Sequence, residues 1–276
     1  MHTTEDLIQL ALKEDIGPGD ITTDNLVAPG TQGRGTILAK QDLVIAGLAV
    51  AASVFRTLEP GIQFTARFSD GDRVAAGSDV AHIAGSLGAL LKGERTALNF
   101  LQRLSGIASQ ARSYAEAVAG TDVKLVDTRK TTPGWRVLEK YAVRIGGAHN
   151  HRMGLYDGVL IKDNHIAVCG GIAQAVKKAR QAISHLVKVE VEAASLEEVQ
   201  EALAAGADII MLDNMDLGQT KEAVRLIAKK ALVEISGGVT RERLKELART
   251  GVDLISIGAL THSAVAVDLS MNIVAD

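Results

Sequence analysis

In the second half of this 276-residue chain, each short run of Val, Ile and Leu ends in residues able to handle anions or hydroxyls. The run VKLVD closes on Asp127 and opens into TRKTTPG, where Arg129 and Lys130 precede two threonines and the rigid exit Pro133-Gly134. Adjacent cations, hydroxyls and a fixed turn make a loop built to hold an anion rather than merely to stay wet. GVLI leads into Lys162, Asp163, Asn164 and His165, LVKVEVE ends in Glu192, and ADIIMLD ends in Asp213 and Asn214. VEI is followed by Ser236-Gly237-Gly238 and LISI by Gly258. Guanidinium forks match carboxylates. Glycine-rich strand exits expose backbone N–H groups that suit phosphate. Glu192 and Asp213, at successive strand ends in an otherwise cationic setting, suit Mg2+ shared with substrate oxygens. Each has a plainer reading, as a helix-capping turn for Ser236-Gly237-Gly238 and as helix caps for Glu192 and Asp213. Together with Gly258, the glycine exits favour phosphate.

The elements that must position these residues alternate. Between the later strand-like runs lie GGIAQAVKKARQAISH, SLEEVQEALAAG, DLGQTKEAVRLIAKK and TRERLKELARTG, each with apolar residues at helical spacing. Ser195 with Glu198 reads as a capping box, and Gly206 and Gly251 stand where helices should stop. Repeated βα units predict a parallel sheet of six strands, either open and doubly wound or a barrel short of eight. No GxGxxG follows the first strand, which counts against the open sheet. In a barrel, all these strand exits converge on one face, where such folds keep their chemistry. The first hundred residues read differently. A helix over Thr4–Lys13, a strand near Gly35–Lys40, the helical AGLAVAASVFRTL, the strand IQFTARF and a long helical stretch from Leu87 to Ala119 predict an α+β domain. The C-terminal SAVAVDLSMNIV is expected to pack back onto it.

Composition bounds the function. Apolar residues are 47% of the chain and aromatics 3%, which suits aliphatic strands under Ala-rich helices. A net charge of −3 argues against a nucleic-acid binder, yet seven Lys and Arg between Arg129 and Lys162 face only Glu139 and Asp157. An anionic small molecule fits that local excess. The single Cys169 and the absence of a signal-like or membrane-length apolar segment predict a cytoplasmic protein without a membrane partner. His149, His151 and His165 match no zinc spacing, and the surrounding cations oppose a metal there. Glu94, Arg95, Asn99 and Arg103 fall on one helix and, from pattern alone, read as a solvated face. A Schiff-base aldolase using Lys162 or Lys188 is the competing enzyme class; it leaves the phosphate-like loops and paired acids unexplained.

The motifs EDIGPGDITT, ERTALNFLQRLSGIAS, DTRKTTPG, EKYAV, NHRMGL, LIKDNHI, EVE, LDN, EISGG and IGALTHS occur in this order. Through them the chain closely resembles the quinolinate phosphoribosyltransferases (nicotinate-nucleotide pyrophosphorylases, carboxylating), which are type II phosphoribosyltransferases. The resemblance implies an α/β fold: an N-terminal α/β sandwich over residues 1–104, joined by 264–276, and an incomplete (β/α) barrel over 105–263. It implies transfer of phosphoribosyl from phosphoribosyl pyrophosphate to quinolinate with decarboxylation, giving nicotinate mononucleotide, pyrophosphate and CO2 for de novo NAD synthesis. By motif, Arg95, Thr128, Arg129, Lys130, His151, Arg152 and Lys162 would bind quinolinate. Lys130, Glu192, Asp213, Ser236, Gly237, Gly238, Ile257, Gly258, Ala259 and His262 would bind phosphoribosyl pyrophosphate. Lys130, Lys162, Glu192 and Asp213 would be catalytic, with Mg2+ held by Glu192 and Asp213, partly through substrate. A homo-oligomer is implied, dimer or larger, in which Arg95 reaches a neighbouring subunit's pocket; this overturns the solvated-face reading of that helix. A non-catalytic, oxyanion-binding relative is the second rival, and retention of the full cationic set speaks against it. Trp135 stands where leucine is commoner, and Gly146-Gly147-Ala148 replaces three glycines.

The implied chemistry suits those charges. The pyridine nitrogen attacks the ribose C1 as pyrophosphate departs, and positioning with charge stabilisation does most of the work. Loss of CO2 beside the new pyridinium leaves an ylide that the ring charge stabilises. Arg129 and Arg152 are expected to grip mainly the retained carboxylate, since clamping the departing one would stabilise the ground state.

Overall fold

The structure, a computed structural model, describes residues 3–276. The strands are β1 (Gln32–Ala39), β2 (Leu43–Val44), β3 (Gln63–Ala66), β4 (Arg73–Val74), β5 (Asp79–Ser86), β6 (Lys124–Val126), β7 (Val159–Ile161), β8 (Val189–Ala193), β9 (Ile209–Asp213), β10 (Leu232–Ser236), β11 (Leu254–Ser256) and β12 (Leu269–Ala275). The helices are α1 (Thr4–Ile16), α2 (Thr23–Leu26), α3 (Leu48–Leu58), α4 (Leu87–Ala117), α5 (Arg136–Ile145), α6 (Asp163–Cys169), α7 (Ile172–Ala182), α8 (Leu196–Ala204), α9 (Leu217–Ile227), α10 (Leu244–Ala248) and α11 (Ala259–His262). Two compact units form. One comprises residues 1–112, 131–147 and 260–276, and the other 113–130 and 148–259.

The first unit is built on an antiparallel sheet of order β12-β1-β5-β3. Phe55 of α3 faces Phe64 of β3 with ring centroids 6.4 Å apart, and Ile37, Ile83, Leu98 and Leu101 are fully or almost fully buried. The C-terminal segment does pack back here: β12 pairs antiparallel with β1 from Gly33–Ala275 to Ala39–Leu269. The sequence boundary at 104/105 falls inside the continuous helix α4, and residues 131–147 lie with the first unit rather than the second. Side-chain contacts explain the latter. Trp135 stacks on Phe100 at 4.8 Å, and the buried Glu139 carboxylate accepts from Arg103 Nη2 at 2.8 Å. Gly146 ends this segment hard against α4, where an added Cβ would stand 2.4 Å from Ala111 Cβ.

The second unit holds all six expected strands in a parallel sheet of order β6-β11-β10-β9-β8-β7. The first strand lies beside the last, and every sequential pair is hydrogen-bonded except β6 with β7. That is a barrel with one seam unpaired, the incomplete form expected. At the seam the exposed edge of β6 is taken by a single residue: His149 N donates to Leu125 O at 2.8 Å, and Asp127 N donates to His149 O at 3.1 Å. The capping at α8 differs by one residue from expectation. Ser195 accepts from Glu198 N, but the Glu198 carboxylate accepts from Ala194 N rather than from Ser195 N. Among the described residues, no helix is long and apolar enough to cross a membrane.

Candidate active site

Strand register decides which strand-end residues share a face. Glu192 is level with Met211, and Asp213 lies two residues beyond Met211, opposite Ser236. Because side chains alternate along a strand, Glu190, Glu192, Met211, Asp213, Glu234 and Ser236 all project to one side of the sheet. Lys162, just after β7, reaches Glu192 on the neighbouring strand and ion-pairs with it. The two glycines after β10 have φ of +90° and +56°. Gly237 is required by its neighbour as well as its backbone, since a Cβ there would stand 2.1 Å from Asn214 Oδ1. Asn214 is itself left-handed at φ +54°, donates its backbone N–H to Ser236 O at 3.0 Å, and donates its side-chain amide to Asp213 at 3.1 Å. The LDN and SGG motifs are thus one interlocked surface.

Below that level lies a second polar group. Asp127, fully buried, accepts from Asn150 Nδ2 at 2.6 Å and from His151 N at 2.9 Å. It thereby fixes the segment that carries His151 and Arg152. The His151 ring stands between two acids, with Nε2 at 3.1 Å from Glu190 Oε2 and 3.7 Å from Glu234 Oε1. Its Nδ1 accepts the Arg152 backbone N–H at 2.7 Å, so the ring proton sits on Nε2, facing the acids. Burial, and then the Glu190 charge, raise the Glu234 pKa to about 8, with His151 opposing. Arg152 donates to Gly158 O at 2.9 Å. Burial, followed by the charge of Arg129, lowers its pKa, and Glu190 and Asp157 oppose the fall. Two guanidinium groups that repel each other are relieved by an anion bound between them. His151, Arg152, Glu190 and Glu234 line a cavity of about 230 Å³ with Val126, Ile209 and Leu254.

The second unit therefore brings together Lys162 with Glu192, Asp213 with Ser236 and Gly237, and His151 with Arg152. Arg129 and Lys130 are exposed on the loop after β6, where Lys130 N donates to Thr128 Oγ1 at 3.0 Å. Ile257 is buried, and its N–H donates to Val126 O at 2.9 Å, holding Gly258 and Ala259 at the exit of β11. Arg95 and His262 belong to the first unit, where both are exposed, Arg95 on α4 and His262 at the end of α11. His165 accepts from Lys162 N at 2.9 Å, and His149 serves the sheet edge. Among the described residues, the grouping with metal-type ligands is His151, Glu190 and Glu234. Sequence reading placed Asp127 at the end of its strand without a role and missed Glu190 and Glu234. The signal was present, because Glu190 and Glu234 each sit two residues before a strand-end group already singled out, on the same face. Arg103 also proved to be a clamp rather than part of a solvated face: it donates to Glu139, Thr261 O and Ala264 O.

Comparison with known proteins covers both units. The quinolinate phosphoribosyl transferase N-terminal domain matches residues 20–105, and the C-terminal domain of the same name matches residues 107–272. The chain belongs to the quinolinate phosphoribosyltransferase family. Relatives in this family include a probable nicotinate-nucleotide pyrophosphorylase (carboxylating) of Bacillus subtilis, 47% identical over 94% of this chain and 90% of the relative. Another, from Synechocystis, is 49% identical over 97% of this chain and 91% of its own. The crystal structure of NadC from Streptococcus pyogenes superposes with a TM-score of 0.95 at 43% identity, covering 99% of this chain and 96% of NadC. The sandwich-plus-incomplete-barrel fold is thus that of the family.

Proposed function

We propose that this chain transfers phosphoribosyl from phosphoribosyl pyrophosphate to quinolinate with decarboxylation, the carboxylating nicotinate-nucleotide pyrophosphorylase reaction of de novo NAD synthesis, named for its reverse direction. The observation that carries the reading is the shared face bearing Lys162, Glu192, Asp213 and Ser236 in a chain that both family domains match almost end to end. Arg129 and Arg152, which repel each other, supply the dicarboxylate grip, with His151, Lys162 and Thr128 beside them. Lys130 lies between the two substrates. The Ser236-Gly237-Gly238 exit and Ile257-Gly258-Ala259 take the 5′-phosphate. The pyridine nitrogen attacks C1 as pyrophosphate leaves, and CO2 is then lost beside the pyridinium.

Mg2+ fits the donor set: Glu192 and Asp213 are half-buried carboxylates on one face, the oxygen ligands this ion takes together with substrate phosphates. Bound there, it would neutralise charge on the pyrophosphate. The Schiff-base alternative at Lys162 loses support, because that side chain is engaged in an ion pair with Glu192.

The reading also includes a cytoplasmic homo-oligomer. The single cysteine supports the compartment, and the exposure of Arg95 supports its donation to a neighbouring subunit. Purified protein incubated with quinolinate, phosphoribosyl pyrophosphate and Mg2+ should release CO2 and nicotinate mononucleotide, and nicotinate in place of quinolinate should yield none. No turnover of quinolinate would reject the assignment. For the oligomer, Arg95→Ala and Glu192→Gln proteins, each inactive alone, should regain activity when dissociated and reassembled together.

A further inference from the structure

Glu190 and Glu234 do not belong to the strand-end set, yet they are among the most deeply placed charged residues of the second unit. Glu190 is 4% exposed and Glu234 1%. A buried carboxylate is costly unless something is gained from it. Glu190 Oε2 holds His151 Nε2, while Glu190 Oε1 and both Glu234 oxygens lack a protein hydrogen-bond partner. Burying two acids here serves the histidine more plainly than it serves stability. The His151 backbone is already held by Asp127 through its N–H, and its Nδ1 by the Arg152 N–H. The other ring nitrogen, Nε2, is met from below by Glu190 Oε2 at 3.1 Å, with Glu234 Oε1 at 3.7 Å, and this contact fixes the far side of the ring.

We propose that Glu190, backed by Glu234, is a positioning residue. It locks the His151 ring with its Nε2–H directed inward, and so sets the His151–Arg152 edge of the dicarboxylate pocket. Glu190 touches no substrate; it acts through His151. This inference rests on the function proposed above.

The test is a set of steady-state measurements on the purified full chain: wild type, Glu190→Ala, Glu190→Gln, His151→Ala and the double variant Glu190→Ala/His151→Ala. Glu190→Ala should raise KM for quinolinate at least tenfold while KM for phosphoribosyl pyrophosphate stays within about twofold, the factor a lost buried hydrogen bond to a positioned group predicts. Glu190→Gln, which still accepts from Nε2–H, should restore most of the quinolinate KM. The double variant should be no worse than His151→Ala alone, because both remove the same element. Should Glu190→Ala not fold, Glu190→Asp serves, since it keeps the charge and withdraws it from the ring; it should show the same split. Equal changes in both KM values, no rescue by Gln, or additive losses in the double variant would overturn the positioning role. Absence of quinolinate turnover in the wild type would instead overturn the proposed function itself.

Discussion

Lys162 and Glu192, at the ends of adjacent parallel strands, form an ion pair with each other. In the proposed function these two groups serve different substrates, Lys162 a quinolinate carboxylate and Glu192 the ribose and Mg2+. Each substrate must therefore break the same pair, and whichever binds first frees the partner for the other. Benzene-1,2-dicarboxylate carries both carboxylates and no ring nitrogen, so it reports binding without reaction. Its affinity should rise several-fold when phosphoribosyl pyrophosphate and Mg2+ are present. In Lys162→Met it should bind about tenfold more weakly and gain nothing from the second substrate. Calorimetric titration with and without the second substrate checks both.

The interlock of Gly237 with Asn214 predicts a selective defect. Gly237→Ala places a Cβ 2.1 Å from Asn214 Oδ1 on a backbone with φ +90°. Strain of about 1–3 kcal/mol must be relieved by moving the loop or Asn214. KM for phosphoribosyl pyrophosphate should rise by about ten- to a hundredfold, with the affinity for benzene-1,2-dicarboxylate alone unchanged.

Glu139 is an anchor of the first unit. It is 0% exposed, accepts from Arg103 Nε and Nη2, and also accepts from the Thr132 hydroxyl at 2.8 Å. Removing it leaves the partly buried Arg103 charge without its carboxylate. Glu139→Ala should cost about 3–5 kcal/mol in urea unfolding.

Stability should depend on pH through Glu234. Its folded pKa, about 8, is raised above the usual 4.5, so between those values the native state holds a proton that the unfolded chain has released. Stability from this group is therefore complete below about pH 4.5 and lost as pH rises towards 8. Urea unfolding of the wild type should weaken across that window, and Glu234→Gln, which cannot titrate, should flatten the slope.

Arg129→Lys keeps a charge and loses the fork. If Arg129 and Arg152 grip the retained carboxylate in a bidentate manner, turnover should fall by at least tenfold, more than a mere weakening of charge would give. Single-turnover measurement of CO2 release checks it, and near-normal turnover would remove that role.

The sequence by itself determined most of the second unit's elements, because their signals are local; in the first unit it left β5 unread. All six parallel strands and the four helices between the later ones follow from apolar periodicity, and the polar strand exits were legible for the same reason. Motif order carried the family. What the sequence left open was which side chains meet. Lys162 with Glu192, His151 with Glu190 and Glu234, and Arg103 with Glu139 are far apart in the chain and are joined by strand register and helix packing. Glu190 shows the difference most clearly. In the sequence it is one acid in VEVEA, its parity with Glu192 legible but its partners not; in the barrel that inward parity buries it beneath a histidine. A carboxylate's chemistry depends on the dielectric and the partners around it, and those are set only when distant strands close over it.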